Sequence, residues 1–166
     1  MLELPQTGGA RTGQTRSLQD ERRLVERVLH HWTEMAAGGW GFPQLNEIDP
    51  WMVGNDWANC LVIAVQSPVE LSHFVAVGEN LAVALCPRDT LAGVLLSHLP
   101  WVVSSRCSLI VEGGATLRGV PILYRGALLP LSEDGDTIDH VLGAANHRAL
   151  LADDAPTKQH TRTRWV

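Results

Sequence analysis

The segment Leu128-Leu129-Pro130-Leu131-Ser132-Glu133-Asp134-Gly135 continues as Asp136-Thr137-Ile138-Asp139-His140-Val141-Leu142-Gly143 and constrains this chain more than any other. It sets an Asp-Gly pair between two apolar runs, the strongest short-range signal of a β-hairpin. Gly135 can take the positive φ of a tight turn without steric cost. The C-terminal half is therefore expected to contain a long antiparallel hairpin, and any fold assigned to the chain must accommodate it.

The rest of the chain is read around that hairpin. Its 166 residues fit one domain with tails, since domains cluster at about 100–150 residues. A chain of this length buries roughly 70% of its unfolded surface and needs no disulfide or metal staple. The 3 cysteines, Cys60, Cys86 and Cys107, lack CxxC spacing and sit in apolar neighbourhoods, so they read as reduced and buried. The formal net charge of −5 argues against nucleic acid, which demands a basic footprint. No window resembles a signal peptide and no apolar run approaches the roughly 18 residues of a membrane span. A cytoplasmic location, with neither membrane nor nucleic acid as partner, is the expectation.

Residues 1–16 lack periodicity and read as a disordered tail. Ser17 is an N-cap candidate for a helix over 17–38, with Asp20 favouring its dipole. In that helix Leu24, Val25, Val28, Leu29, Trp32, Met35 and Ala36 form one stripe, and Gly38-Gly39 stops it. Asp49-Pro50 reads as the start of a short helical turn. Cys60 to Val65 is an apolar run of strand length covered on both faces. Val69 to Val77 reads as a half-buried alternating strand. Gly78 to Leu85 reads as a short helix, and Asp89 or Thr90 caps a longer one carrying Leu91, Val94, Leu95 and Val102. Pro100 should kink or break that helix. Residues 107–112 read as a strand ending at a Gly113-Gly114 turn, residues 115–131 and 136–146 complete the sheet, and 151–166 reads as a flexible tail. The domain is thus 17–150. Its order of helix, two strands, helices and three strands predicts an α+β fold. A five-stranded antiparallel sheet would carry helices over one face, plus an N-terminal amphipathic helix.

Several segments resemble a family of short single-domain PAS proteins from bacteria. They are His31-Trp32, Gly39 through Pro43, Ile48-Asp49-Pro50, Val77-Gly78-Glu79-Asn80-Leu81, Arg88-Asp89-Thr90-Leu91-Ala92-Gly93, and the hairpin segment followed by Ile138 to Gly143. The match runs over roughly residues 25–147. It implies a PAS-like fold and a cytoplasmic sensory or protein-interaction module with no output domain. By analogy with haem-containing PAS domains it makes His98 a candidate axial ligand. Cofactor identity stays open: no motif supports haem or flavin.

Candidate site residues come from phase. His73 shares its strand phase with Val69, Leu71, Val75 and Val77, His140 with Ile138 and Leu142, and His98 lies on the stripe of Leu91, Val94, Leu95 and Val102. These three histidines, with Trp101 and Tyr124, are the expected lining of a largely apolar pocket between helices and sheet. Asp139 and His140, as adjacent strand residues, should point apart and form no acid–base pair. Glu26, His30 and Glu34 read as a solvated helix face, and Glu133, Asp134 and Asp136 as turn residues. No metal site and no catalytic residue is expected, because no nucleophile has an adjacent base. The preferred reading is a non-enzymatic sensor or adaptor with a small ligand, or none, between the helical segment and the sheet and a protein surface as its output; a pure interaction module with a filled core is a further reading. A homodimer through the N-terminal helix is expected if its stripe finds no cover on the sheet. The alternative is a small cone-like α+β enzyme, a hydrolase or isomerase, using a pocket histidine as general base.

Overall fold

A computed structural model describes residues 18–39, 41–48, 54–82, 90–117, 119–150 and 162–165. Ser17, Asp49, Pro50, Cys86 and Asp89 lie outside the described residues. The architecture is α+β, as expected. One antiparallel sheet runs in the order β2-β1-β5-β4-β3-β6. Its strands are β1 (Cys60–Ala64), β2 (His73–Val77), β3 (Leu109–Leu117), β4 (Val120–Leu131), β5 (His140–Ala149) and the short β6 (Arg162–Trp165). Helix α1 (Leu18–Ala37) precedes the sheet, and α2 (Glu79–Ala82), α3 (Leu91–Leu96) and α4 (Leu99–Ser105) connect β2 to β3.

Each strand places alternate residues on opposite faces, so the sheet has two apolar sides. On one, Leu61, Ile63, Val111, Ile122, Tyr124, Leu128, Val141 and Ala145 pack with Leu91, Leu95, Leu99 and Val102 of α3 and α4. On the other, Val62, Ile110, Ala127, Leu129, Leu142 and Ala144 pack with Leu24, Val25 and Val28 of α1. Burying a side chain of this size stabilises by about 1.5–3 kcal/mol, which seats α1 firmly. Trp32 of α1 adds a polar tie, its indole Nε1 donating to the Pro130 carbonyl at 2.8 Å. The helix stripe is thus covered by the chain's own sheet, so the condition attached to a dimer through α1 is not met. The solvent face of α1 behaves as expected, with His30 and Glu34 pairing at 3.3 Å as exposed neighbours four residues apart.

Pro100 breaks the long helix into two. α3 starts on Thr90, whose hydroxyl oxygen accepts from the Gly93 amide at 2.7 Å, and α4 restarts with His98 as its N-cap. Pro100 falls at the beginning of α4, where a missing amide costs nothing.

Three local expectations are corrected. Gly113-Gly114 is no turn, because β3 runs straight through it and pairs Gly113 with Tyr124. A Cβ on Gly113 would lie 2.9 Å from the Tyr124 hydroxyl, so glycine is there to admit the ring. The chain turns instead at Gly119, where φ is +78°. Val69 to Val77 is not one strand. Val69–Leu71 forms a 3-10 turn and only His73–Val77 is strand. The register then shifts so that Ile63 faces Phe74 and Val62 faces Ala76, leaving Val75 unpaired. That bulge resets the phase: Phe74 and Val77 pack inward, while Val75 is 56% exposed. Of the short helix expected over Gly78 to Leu85, Glu79–Ala82 is described and helical, and its last three positions lie outside the described residues. Finally, Arg162–Trp165 of the expected loose tail pairs with Leu109–Glu112 as β6.

The hairpin is present, but its turn is wider than two residues: the strands stop at Leu131 and resume at His140. Asp134 organises the loop between them. Its carboxylate accepts from the amides of Asp136 and Thr137 and from the hydroxyls of Ser132 and Thr137, at 2.6–2.8 Å. The Thr137 amide is the largest of the influences that hold this carboxyl well below the usual carboxylate range. The sign follows from linkage. The folded chain keeps Asp134 ionised where the unfolded chain takes up a proton, so the contribution is complete above the ordinary value of 3.8 and drains away as pH falls below it. Asp134→Ala is expected to lower the melting temperature at neutral pH and to flatten its fall on acidification below about pH 4. Melting curves across an acid pH series check both.

Candidate functional site

The structure does not bring the expected pocket residues together. Side chains of directly paired strand residues share a face. His73 and His140 both pair with Ala64, and His140 also pairs with Leu131, which packs on the α1 side. His73 and His140 therefore lie on the α1 face of the sheet, flanking Ala64, with His73 exposed. His98 sits at the α3–α4 junction on the opposite face, partly buried, and burial pushes its imidazole below the ordinary histidine value. Trp101 on α4 is 64% exposed and lines no interior space. Tyr124 does face the α3–α4 side and is buried, but it packs over Gly113 within the core.

The space expected for a ligand between helices and sheet is filled where it is described. Leu91, Leu95, Leu99 and Val102 are 0–1% exposed. A Cβ on Gly126 would meet the Leu95 Cδ2 at 2.8 Å, so α3 rests directly on the backbone of β4. Cys60 belongs to the α1-side core, and burial raises its thiol to about 12. It is therefore an inert structural cysteine.

Two constellations remain. The first contradicts the expectation that Asp139 and His140 point apart. His140 Nδ1 lies 2.7 Å from Asp139 Oδ1, with both side chains largely shielded. Strand alternation does not apply here, because Asp139 precedes the first residue of β5. Its backbone is fixed by the Asp139 amide donating to the Leu131 carbonyl at 3.2 Å and its own carbonyl accepting from the Val65 amide at 2.8 Å. The second carboxylate oxygen accepts from the Glu133 amide at 2.7 Å. The carboxylate is thus oriented before it meets the imidazole, and with a proton on Nδ1 the other ring nitrogen is left as an acceptor.

The second is a surface cleft of about 290 Å³ at the β2 edge. Val69, Glu70 and Ser72 form one wall, and Gly93, Leu96, Ser97, Leu99 and Pro100 the other. Two of the large exposed apolar side chains, Leu71 and Trp101, immediately neighbour lining residues in sequence. None of the five candidate residues lines this cleft. It was not legible in the sequence because its walls come from segments more than twenty positions apart, and the 3-10 turn that shapes one wall reads as strand. The Asp139 contact had a signal, the Asp-His adjacency, which only the exact strand start decodes.

Among the described residues no group of three or more His, Cys, Asp or Glu side chains could hold a metal ion, and no helix is long and apolar enough to cross a membrane. Comparisons with protein-family models, with curated proteins and with solved structures return no match.

Proposed function

We propose that this chain is a non-enzymatic PAS-type sensory or protein-interaction module acting in the cytoplasm. The observation that carries the reading is the sheet order β2-β1-β5-β4-β3 with a helical crossover laid over one face. The β1–β2 pair and the β3–β5 meander are joined by α2–α4, as the PAS resemblance implies. The filled interior favours a ligand or partner that enters at the cleft beside β2 over one enclosed between helices and sheet. The free thiols of Cys60 and Cys107 suit a reducing compartment. Native mass spectrometry on the protein gently purified from its host tests this. A species heavier than the 18.1 kDa chain, reverting to it on denaturation, is expected. The bare chain alone overturns the ligand-carrying form of the reading and favours an interaction module with a filled core.

A hydrolase or isomerase reading is favoured by one observation, the Asp139–His140 contact, which supplies a carboxylate-oriented base of the kind general-base catalysis uses. The pair lies across the sheet from the cleft, and no described serine, threonine or cysteine hydrogen-bonds to His140. Turnover abolished by His140→Gln with the fold intact would establish this reading over the first.

A further inference from the structure

We propose that the cleft at the β2 edge binds a small organic ammonium ion, its apolar body against Val69, Leu96, Leu99 and Pro100 and its charged head at Glu70. The inference rests on the reading of this cleft as the module's ligand entry.

The argument is one of charge and hydrogen-bond supply. No lining residue is basic, and Glu70 has no ion-pair or hydrogen-bond partner among the described residues. His98, next to the lining residues Ser97 and Leu99 in sequence, is pushed by burial below the ordinary histidine value, away from the charged form that would repel a cation. Three of the cleft's amide donors are spent. Gly93 donates to Thr90 Oγ1, Ser97 to the Gly93 carbonyl and Ser72 to the Val69 carbonyl. The Ser97 hydroxyl donates to the Val94 carbonyl at 2.6 Å, leaving its oxygen as an acceptor. The site therefore offers acceptors and a negative charge around an apolar floor. An anion would meet the Glu70 carboxylate with no basic side chain in the lining to offset it, and a neutral apolar molecule would leave the carboxylate unused. A volume of about 290 Å³ falls just below the usual range of ligand pockets, about 300–1,000 Å³, which selects a compact amine. The chain's net charge of −5 favours the encounter.

The test is an NMR titration of the isotope-labelled full chain with phenethylammonium, phenethyl alcohol and phenylacetate. Phenethylammonium is expected to shift amides of residues 69–72 and 93–99 saturably. Glu70→Gln, an exposed change that leaves the spectrum dispersed, is expected to weaken it about fivefold, the size an exposed charge pair supports, and to leave phenethyl alcohol unaffected. Phenylacetate is expected not to bind. Absent saturable shifts at these residues, equal affinity in the Glu70→Gln protein, or phenylacetate binding as tightly as the amine each overturns the proposal. A heavier species in native mass spectrometry alongside any of these results would sink the ammonium assignment and leave the module reading standing.

Discussion

Leu95→Ala is expected to cost about 2–5 kcal/mol of folding stability, a fall of roughly 5–15 °C in melting temperature for a domain of this size. Leu95 is fully buried and lies directly over Gly126. Truncation removes three carbons from a site walled by rigid neighbours. Beneath it lies the backbone of β4, which cannot rise without breaking ladder bonds to β3 and β5. Collapse is therefore limited, and the loss includes a cavity contribution as well as the transfer term. The cavity would lie in the space where a ligand between helices and sheet was expected. Urea denaturation of the variant, with and without benzene, checks both halves: a destabilisation of this size, partly recovered by an apolar guest. A loss below about 1 kcal/mol would mean that α3 is not seated on the sheet, since full truncation of a packed leucine does not come so cheaply.

What could be read from the sequence follows the physics of local signals. The α1 stripe, the Thr90 cap, the Pro100 break and the hairpin each depend on a few neighbouring residues, and each appears. The errors arise where a distant partner decides. Gly113-Gly114 reads as a turn until Tyr124 is known to lie across it. The Val69 to Val77 alternation fails because the pairing of β2 with β1 slips by one residue, turning Val75 outward and Phe74 inward. A slip of that kind inverts faces, and it undid the grouping of His73 with Val75 and Val77. His140 was grouped with His98 because β5 phase alone does not say which sheet face α1 covers. The cross-strand partners Leu131 and Ala64 settle that. Asp139 and His140 needed only the first residue of β5, and strand ends are the least certain part of any pattern reading.

Gly41→Ala is expected to destabilise the fold by about 3 kcal/mol or more, the sum of a left-handed backbone penalty and two or three lost hydrogen bonds. Gly41 has φ of +105°, and a Cβ there would stand 1.9 Å from the Gly135 carbonyl oxygen. That oxygen is backbone, so it cannot swing aside, and the segment after α1 must lift away from the hairpin loop. Lifting it removes the Phe42 amide from the Gly135 carbonyl at 3.0 Å, the Ser132 amide from the Pro43 carbonyl at 2.9 Å, and the Gln44 side chain from the Glu133 carbonyl at 3.1 Å. It also withdraws the Phe42 ring from Arg106, 5.4 Å away, the residue that ties the end of α4 to Asp136 of the loop at 2.7 Å. The effect should reach the Asp139–His140 pair, because the Glu133 amide that orients the Asp139 carboxylate belongs to the same loop. The variant is thus expected to lower the urea midpoint and to change the imidazole NMR signals of His140, an outcome global destabilisation alone does not produce under native conditions. Gly39→Ala supplies the control. Among the described residues no atom lies within 4 Å of a Cβ there, so its stability should match the parent within about 0.5 kcal/mol. If both variants behaved alike, the contact between the Gly41 segment and the hairpin loop would not be holding the fold. The orientation of Asp139 would then have to come from Leu131 and Val65 alone.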